Sequence, residues 1–299
     1  MSIRINKITR GRFGNKIFQY NNLVQMANNL KVEPSCVQWE GNEFFKNIVS
    51  YKKPNKNQRL LYWNEILDKN MEELKELLED NDLVLDDPSY ALHNTFYKLT
   101  KKDPRYYLEL KDKYKINLPE NYTIVGIHIR GGDIRGKDSQ DGREIHPPSY
   151  YKKSIDYLLA NTQNKIDGKE YFFIICTDDP NFDSVKETFD YLQKKRCKVS
   201  LGPNFGTLNY IHDFSVLCYS DILINSSSTF CCAAAFIGKS DKKVIHSKVW
   251  MDRIIRCDFS NKEYKKYIDN LSNKYTDKEW VNTRKARKYW MDLDYFMLL

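Results

Sequence analysis

Residues 122–129 read YTIVGIHI, a short and nearly continuous β-branched run. That is the pattern of a strand buried on both faces of a parallel sheet. Further runs of this kind are YFFIIC at 171–176, DILI at 221–224 and KVIH at 243–246. Apolar residues at helical spacing fill the intervals at 149–159, 183–195 and 211–219. Strand alternating with helix predicts a doubly wound α/β sheet over this part of the chain.

Outward from that segment the pattern is weaker. Ile17, Phe18, Leu23, Val24, Met26, Ala27 and Leu30 recur at helical spacing after a glycine-bearing turn, so the chain is expected to open as a loop followed by a helix over 15–30. Residues 50–120 are rich in Lys, Asn, Glu and Asp, with a helix expected at 71–78 and a strand at 83–85. Trp280, Trp290, Tyr295 and Phe296 sit at roughly helical spacing in 278–299, which predicts a terminal helix. No internal repeat or low-complexity tract stands out.

With 299 residues, 41% of them apolar, the chain has ample material for one large domain or two medium ones. The net charge of +8 arises from 48 basic and 40 acidic residues spread along the whole length. This suits an anionic ligand, and it lacks the concentrated basic stripe of a nucleic-acid binder. The seven cysteines form no CxxC pair and no regular framework, so reduced thiols are expected. The opening MSIRINKITRGRFGNK has no apolar core of a secretory signal, and no run of about 20 apolar residues exists to span a membrane. A cytoplasmic protein is the expectation.

In open α/β sheets ligands bind beyond the carboxyl ends of the strands. The first run ends in His128-Ile129-Arg130-Gly131-Gly132-Asp133. Two glycines there let the backbone approach a ligand, and the guanidinium beside them grips a diphosphate bidentately. A plain turn with an Arg-Asp surface pair is the simpler alternative. The second run leads into Thr177-Asp178-Asp179-Pro180, whose carboxylates could hold a divalent ion, cap the next helix, or accept bonds from a base or sugar. The third leads into Asn225-Ser226-Ser227-Ser228-Thr229-Phe230. Four hydroxyl residues at a helix N-terminus exceed what one cap needs and read as a phosphate site. Near the start, Gly11-Arg12-Phe13-Gly14-Asn15 has the form of a backbone-approach loop in which Asn15 caps a helix.

In order, these segments resemble the superfamily of α1,2-, α1,6- and protein O-fucosyltransferases. GRFGNKIFQY is similar to the GxxGNxxFQ(Y) opening of the α1,2 enzymes, HIRGGDI to the HxRRxD motif, CTDDPNF to the (S/T)DD segment, and DFSVLCYSDILINSSSTFCCAAAFIG to the terminal motif. The resemblance spans residues 10–238. It implies a GT-B architecture of two Rossmann-like domains facing a cleft: an acceptor-side domain at 1–118, a GDP-sugar domain at 119–275, and a C-terminal helix at 276–299 that packs back on the first. It also implies an inverting transfer of L-fucose from GDP-fucose to a glycan hydroxyl, in α1,2 linkage by the FQY-type opening, with no metal and no further cofactor.

Carried over residue by residue, the resemblance gives Arg130 the β-phosphate and the departing GDP, and His128 and Asp213 the guanine. Ser228, Thr229 and Phe230 would contact the diphosphate and fucose, with Ser227 and Asp178 in the same donor-binding set. Asn15 and the Gly14 backbone would reach the donor from the other domain. Asp133 and Glu144 are candidates by position for the base that takes the acceptor proton. The chain departs from the motif at Gly131, where the second arginine of HxRRxD is absent; Arg135 and Arg143 are nearby substitutes. Another GDP-sugar, or a non-catalytic protein with a degenerate donor site, are therefore alternatives. A phosphotransferase or NAD enzyme would need GxxxxGK(S/T) or GxGxxG after a strand, and neither is present. His128, His146, His212 and His246 show no HExxH or CxxC spacing of a zinc hydrolase. Acceptor identity and oligomeric state have no signature in the sequence.

Overall fold

The computed structural model describes residues 1–8, 11–54, 56–62, 69, 71–86, 107–131, 146–161, 166–203, 210–226, 228–239, 242–247 and 296–298. They fall into two compact units, the first within Met1–Lys111 and the second beginning at Asp112. Among the described residues no helix is long and apolar enough to cross a membrane.

The first unit runs β1 (Ser2–Ile5), α1 (Phe13–Leu30), β2 (Glu33–Cys36), the single turn α2 (Gly41–Phe44), β3 (Asn57–Tyr62), α3 (Met71–Asp80) and β4 (Asn81–Asp86). Its four strands are all parallel, in the order β2-β1-β4-β3. The chain therefore opens with a strand and not with the expected loop. Ile3 and Ile5 are fully buried there, and Arg4 between them is only 1% exposed. A buried guanidinium is tolerated because its charge is met: Arg4 Nη2 lies 3.3 Å from Asp82 Oδ2 on β4 and donates to Ser2 Oγ at 3.0 Å. Asp82 also accepts from the amides of Ser2 and Lys56. Helix α1 buries Gln19, Asn21, Asn22 and Gln25 along with its apolar residues, and ends at Lys31, which adopts the left-handed conformation at φ 56°.

The second unit runs β5 (Thr123–Ile129), α4 (Pro148–Ala160), β6 (Tyr171–Thr177), α5 (Asp183–Lys194), β7 (Lys198–Leu201), α6 (Tyr210–Tyr219), β8 (Ile222–Ile224), α7 (Thr229–Ile237), β9 (Lys243–Ser247) and β10 (Phe296–Leu298). The sheet order is β10-β9-β8-β5-β6-β7, and every pairing is parallel except that of β10 with β9. Strand β5 is central and buried at every position. Its residues Val125, Ile127 and Ile129 pack with Tyr151 and Ile155 of α4 and Val185 and Leu192 of α5. On the other face, a Cβ at Gly126 would stand 3.0 Å from Ser220 Oγ and 3.3 Å from Leu217 Cδ2, so α6 lies directly on the strand.

The expectation of a terminal helix is corrected at its last residues. Phe296–Leu298 form a strand that supplies hydrogen-bond partners to the otherwise open edge of β9, Met297 opposite His246. The rest of 278–299 lies outside the described residues. Both units are thus parallel α/β sheets, the class expected of a pair of Rossmann-like domains. In the second, the chain starts at β5, moves outward through β6 and β7, and then returns to the opposite side of β5 for β8 and β9. The direction reverses between β5 and β8, and this topological switch opens a crevice at the carboxyl ends of those two strands.

Candidate functional site

The residues that follow β5 and β8 meet at this crevice. His128, the sixth residue of β5, is 6% exposed, and its Nδ1 lies 2.6 Å from Ser226 Oγ in the turn after β8. Its ring lies 5.5 Å from that of Phe230, in the first turn of α7, and Phe230 in turn lies 5.1 Å from Phe214 of α6. Burial lowers the His128 pKa to about 4, with the Asp178 carboxylate opposing that shift and the Arg130 guanidinium adding to it. The imidazole is therefore neutral at physiological pH, able to donate from one nitrogen and accept at the other.

Ser228 is the N-cap of α7, and its Oγ accepts from the Phe230 amide at 3.3 Å. The simple reading of this serine as a cap is thus realised, at a helix whose N-terminus points into the crevice. Thr229 opens α7, and Ser227 lies outside the described residues. The turn between β8 and α7 is held from below. Tyr150 Oη donates to the carbonyls of Asn225 at 2.9 Å and Ile245 at 3.2 Å, and the Asn225 amide donates to Ile245 O at 2.9 Å.

Asp213 sits in the first turn of α6, is 4% exposed, and presses its carboxylate on Gly202, where a Cβ would stand 2.5 Å from Oδ1. Glycine at 202 is needed to let this buried carboxylate reach the end of β7. Burial, and secondarily the Asp213 charge, push the Cys176 thiol well above its ordinary range. The six described cysteines are all free.

Asp178 turns out to join strands. Its Oδ1 accepts from the Gly131 amide at 2.8 Å, tying the end of β6 to the end of β5. Asp179 Oδ1 accepts from Asn181 N at 3.1 Å, while the N-cap of α5 is Phe182, without a side-chain cap. Phe182 has a further contact: a Cβ at position 131 would stand 2.9 Å from its Cγ and 3.0 Å from its Cδ1.

In the first unit the Gly11–Asn15 segment differs from the expected cap. The helix already begins at Phe13, its N-cap is Arg12, whose side chain makes no capping hydrogen bond, and Asn15 lies within the first turn. Gly11 has φ 79°, and a Cβ there would meet Asn15 Nδ2. The left-handed conformation and the folded-back Asn15 amide both require glycine. Gly14 is buried and Asn15 half-buried. Asp133, Arg135, Arg143 and Glu144 lie outside the described residues.

Of the expected donor set, His128, Arg130, Asp178, Asp213, Ser228, Thr229 and Phe230 thus lie along the carboxyl edge of one sheet. Ser226, read from the sequence as one of four phosphate-site hydroxyls, is instead the partner of His128. Sequence reasoning missed Tyr150, Gly202 and Phe182, which act through contacts distant in sequence.

No protein-family model matches the sequence, and no curated protein sequence matches it. Among solved structures, a mutant of Arabidopsis thaliana FUT1 in complex with GDP aligns with 82% of this chain and 70% of its own, at 12% identity and a TM-score of 0.53. The NodZ α-1,6-fucosyltransferase soaked with GDP-fucose aligns with 83% of this chain and 95% of its own, at 12% identity and a TM-score of 0.49. POFUT1 in complex with GDP aligns with 81% and 96%, at 11% identity and 0.46. The chain shares the α/β fold of the Arabidopsis thaliana protein.

Proposed function

We propose that the chain is a fucosyltransferase that moves L-fucose from GDP-fucose to a hydroxyl of a glycan acceptor, with inversion, in α1,2 linkage and without a metal ion. The observation that supports this most is the pairing of His128 with Ser226 across the β5/β8 switch, because it places a neutral imidazole, Arg130 and the N-terminus of α7 at one crevice edge. A GDP-sugar needs all three kinds of group: hydrogen bonding for the base, a fixed cation for the diphosphate, and the positive end of a helix dipole for phosphate oxygens. The Arabidopsis thaliana protein of like fold is a complex with GDP, and the motif order in the sequence points the same way.

In this reading the acceptor oxygen forms a bond to C1 of the sugar as the bond from C1 to the β-phosphate oxygen breaks. The electron pair leaves with GDP. Arg130 stabilises that charge more in the transition state than in the ground state, which is what lowers the barrier. His128 and Asp213 hold guanine, and Ser227, Ser228, Thr229 and Phe230 the diphosphate and sugar. Gly14 and Asn15 keep the donor-contact role that the motif resemblance gives them. The acceptor proton passes to Asp133 or Glu144.

Calorimetry tests the proposal. The protein is expected to bind GDP and GDP-fucose at micromolar concentrations with EDTA present, and Arg130→Ala to weaken GDP binding and lower turnover on the order of a hundredfold or more. Absence of binding to any guanine nucleotide would refute it and favour a protein with a degenerate donor site.

A further inference from the structure

Position 131 follows Arg130 directly, and it is where the sequence departs from the motif it resembles. Gly131 is buried, and its backbone is not in the left-handed region, so conformation does not demand glycine. Space does. A Cβ there would lie 2.9 Å from Cγ, 3.0 Å from Cδ1 and 3.1 Å from Cβ of Phe182, so the phenyl ring occupies the volume that a side chain at 131 would claim. Both partners are held in place. Asp178 Oδ1 binds the Gly131 amide at 2.8 Å, and Phe182 packs partly against the core shared by α4 and α5 while remaining half-buried.

Alternation along β5 sets what this ring can touch. Ile129 faces the α4 and α5 layer, whereas His128 faces Ser226 and Phe230. Beyond the strand, Gly131 lies against Phe182, which packs on the core that includes Ile129, while Arg130 is close enough to His128 to act on its charge. A ligand lying across the strand end therefore meets a guanidinium on one side and an uncharged aromatic face on the other. The sugar of a nucleotide diphosphate is bonded directly to the phosphate that Arg130 would grip, so it is the part of the donor nearest to position 131.

We infer that Phe182 is a specificity-determining residue of the donor site, presenting an apolar face to the sugar where the related motif would place a second cation. This rests on the donor reading above. The chemistry selects a sugar with a methyl group over one with a hydroxymethyl group, since a hydroxyl laid on the ring loses its water and gains no partner. An apolar surface rejects an added hydroxyl by about a hundredfold at most. The expected preference for GDP-fucose over GDP-L-galactose, which differs only by the C6 hydroxyl, is therefore of that order, and no larger.

The test is calorimetry of GDP, GDP-fucose and GDP-L-galactose with the wild-type chain, Phe182→Ala and Phe182→Leu. Phe182→Ala is expected to lower the GDP-fucose to GDP-L-galactose preference by roughly tenfold, while GDP binding alone shifts less than about twofold. Phe182→Leu keeps an apolar surface and should retain most of the preference, which also guards against misfolding of the alanine variant. An unchanged preference in Phe182→Ala, with GDP still bound by the wild type, would overturn the inference and leave the donor site standing. Failure of the wild type to bind GDP at all would overturn both.

Discussion

Nδ1 of His128 and Oγ of Ser226 stand 2.6 Å apart, although 98 residues separate them in the chain. The contact joins the central strand to the turn before α7, and it has a consequence for stability. The folded-state pKa of His128, about 4, lies below the ordinary value of 6.5. Between those limits the unfolded chain binds the extra proton and the folded one does not, so stability falls as pH drops from about 6.5 towards 4 and levels off below. The loss is on the order of 3 kcal/mol at full extent. Urea unfolding at pH 7 and pH 5 should show this decline in the wild type and a smaller one in His128→Gln.

Gly131→Ala places a methyl group against the Phe182 ring and should destabilise the second unit by about 1–3 kcal/mol. Phe182→Leu has its own cost, but the double variant should be more stable than the two single losses predict, by on the order of 1 kcal/mol. A thermal-denaturation cycle over the four proteins measures this coupling. Additive losses would mean that the ring and residue 131 do not compete for space.

Tyr150→Phe removes one hydroxyl that serves two carbonyls, those of Asn225 and Ile245. The expected cost is about 1–2 kcal/mol in unfolding free energy. Because Asn225 opens the turn that carries Ser226 and Ser228, and its amide donates to the Ile245 carbonyl of β9, GDP affinity should also weaken several-fold. Calorimetry at a temperature where the variant is fully folded separates the two effects.

Asp82→Asn leaves the Arg4 guanidinium buried without its counter-charge, at a cost of about 3–5 kcal/mol. Adding Arg4→Met removes the stranded charge, while the side-chain carbonyl introduced at position 82 can still accept from the Ser2 amide. The double variant should therefore be more stable than Asp82→Asn alone in urea titration. The reverse order would show that the ion pair is not what holds β1 to β4.

In the second unit β5, β6, β8 and β9 were readable from their short apolar runs, whereas β7, exposed or half-buried at every position, left no such run, and β10 fell where a helix was expected. Strand β1 was not readable, since Arg4 interrupts it and is neutralised by Asp82 far along the chain. Strand β3 was hidden for the opposite reason: Arg59, Leu60 and Tyr62 are exposed, so no buried face leaves its mark on the sequence. The site followed the same rule. His128, Arg130 and Ser228 could be located because each lies at a strand end, which is where an open sheet binds ligands. Tyr150 and Phe182 sit at the starts of helices and look like packing residues, which they also are. What makes them matter is a carbonyl or a glycine supplied from elsewhere in the chain.

The strand order also sets when the site comes into existence. Its two halves are carried by β5 and by the turn after β8, and the register Val125 to Ile222, Gly126 to Leu223 and Ile127 to Ile224 brings them together. Such long-range parallel pairing is slow to form, because a long loop must close before any contact repays it. A nascent chain that has finished β5, β6 and β7 has half of the six strands, yet Ser226 is not there to pair with His128. On the donor reading proposed above, nucleotide affinity would therefore report the completion of the second unit's folding, and nucleotide present at that moment would favour the finished arrangement by mass action.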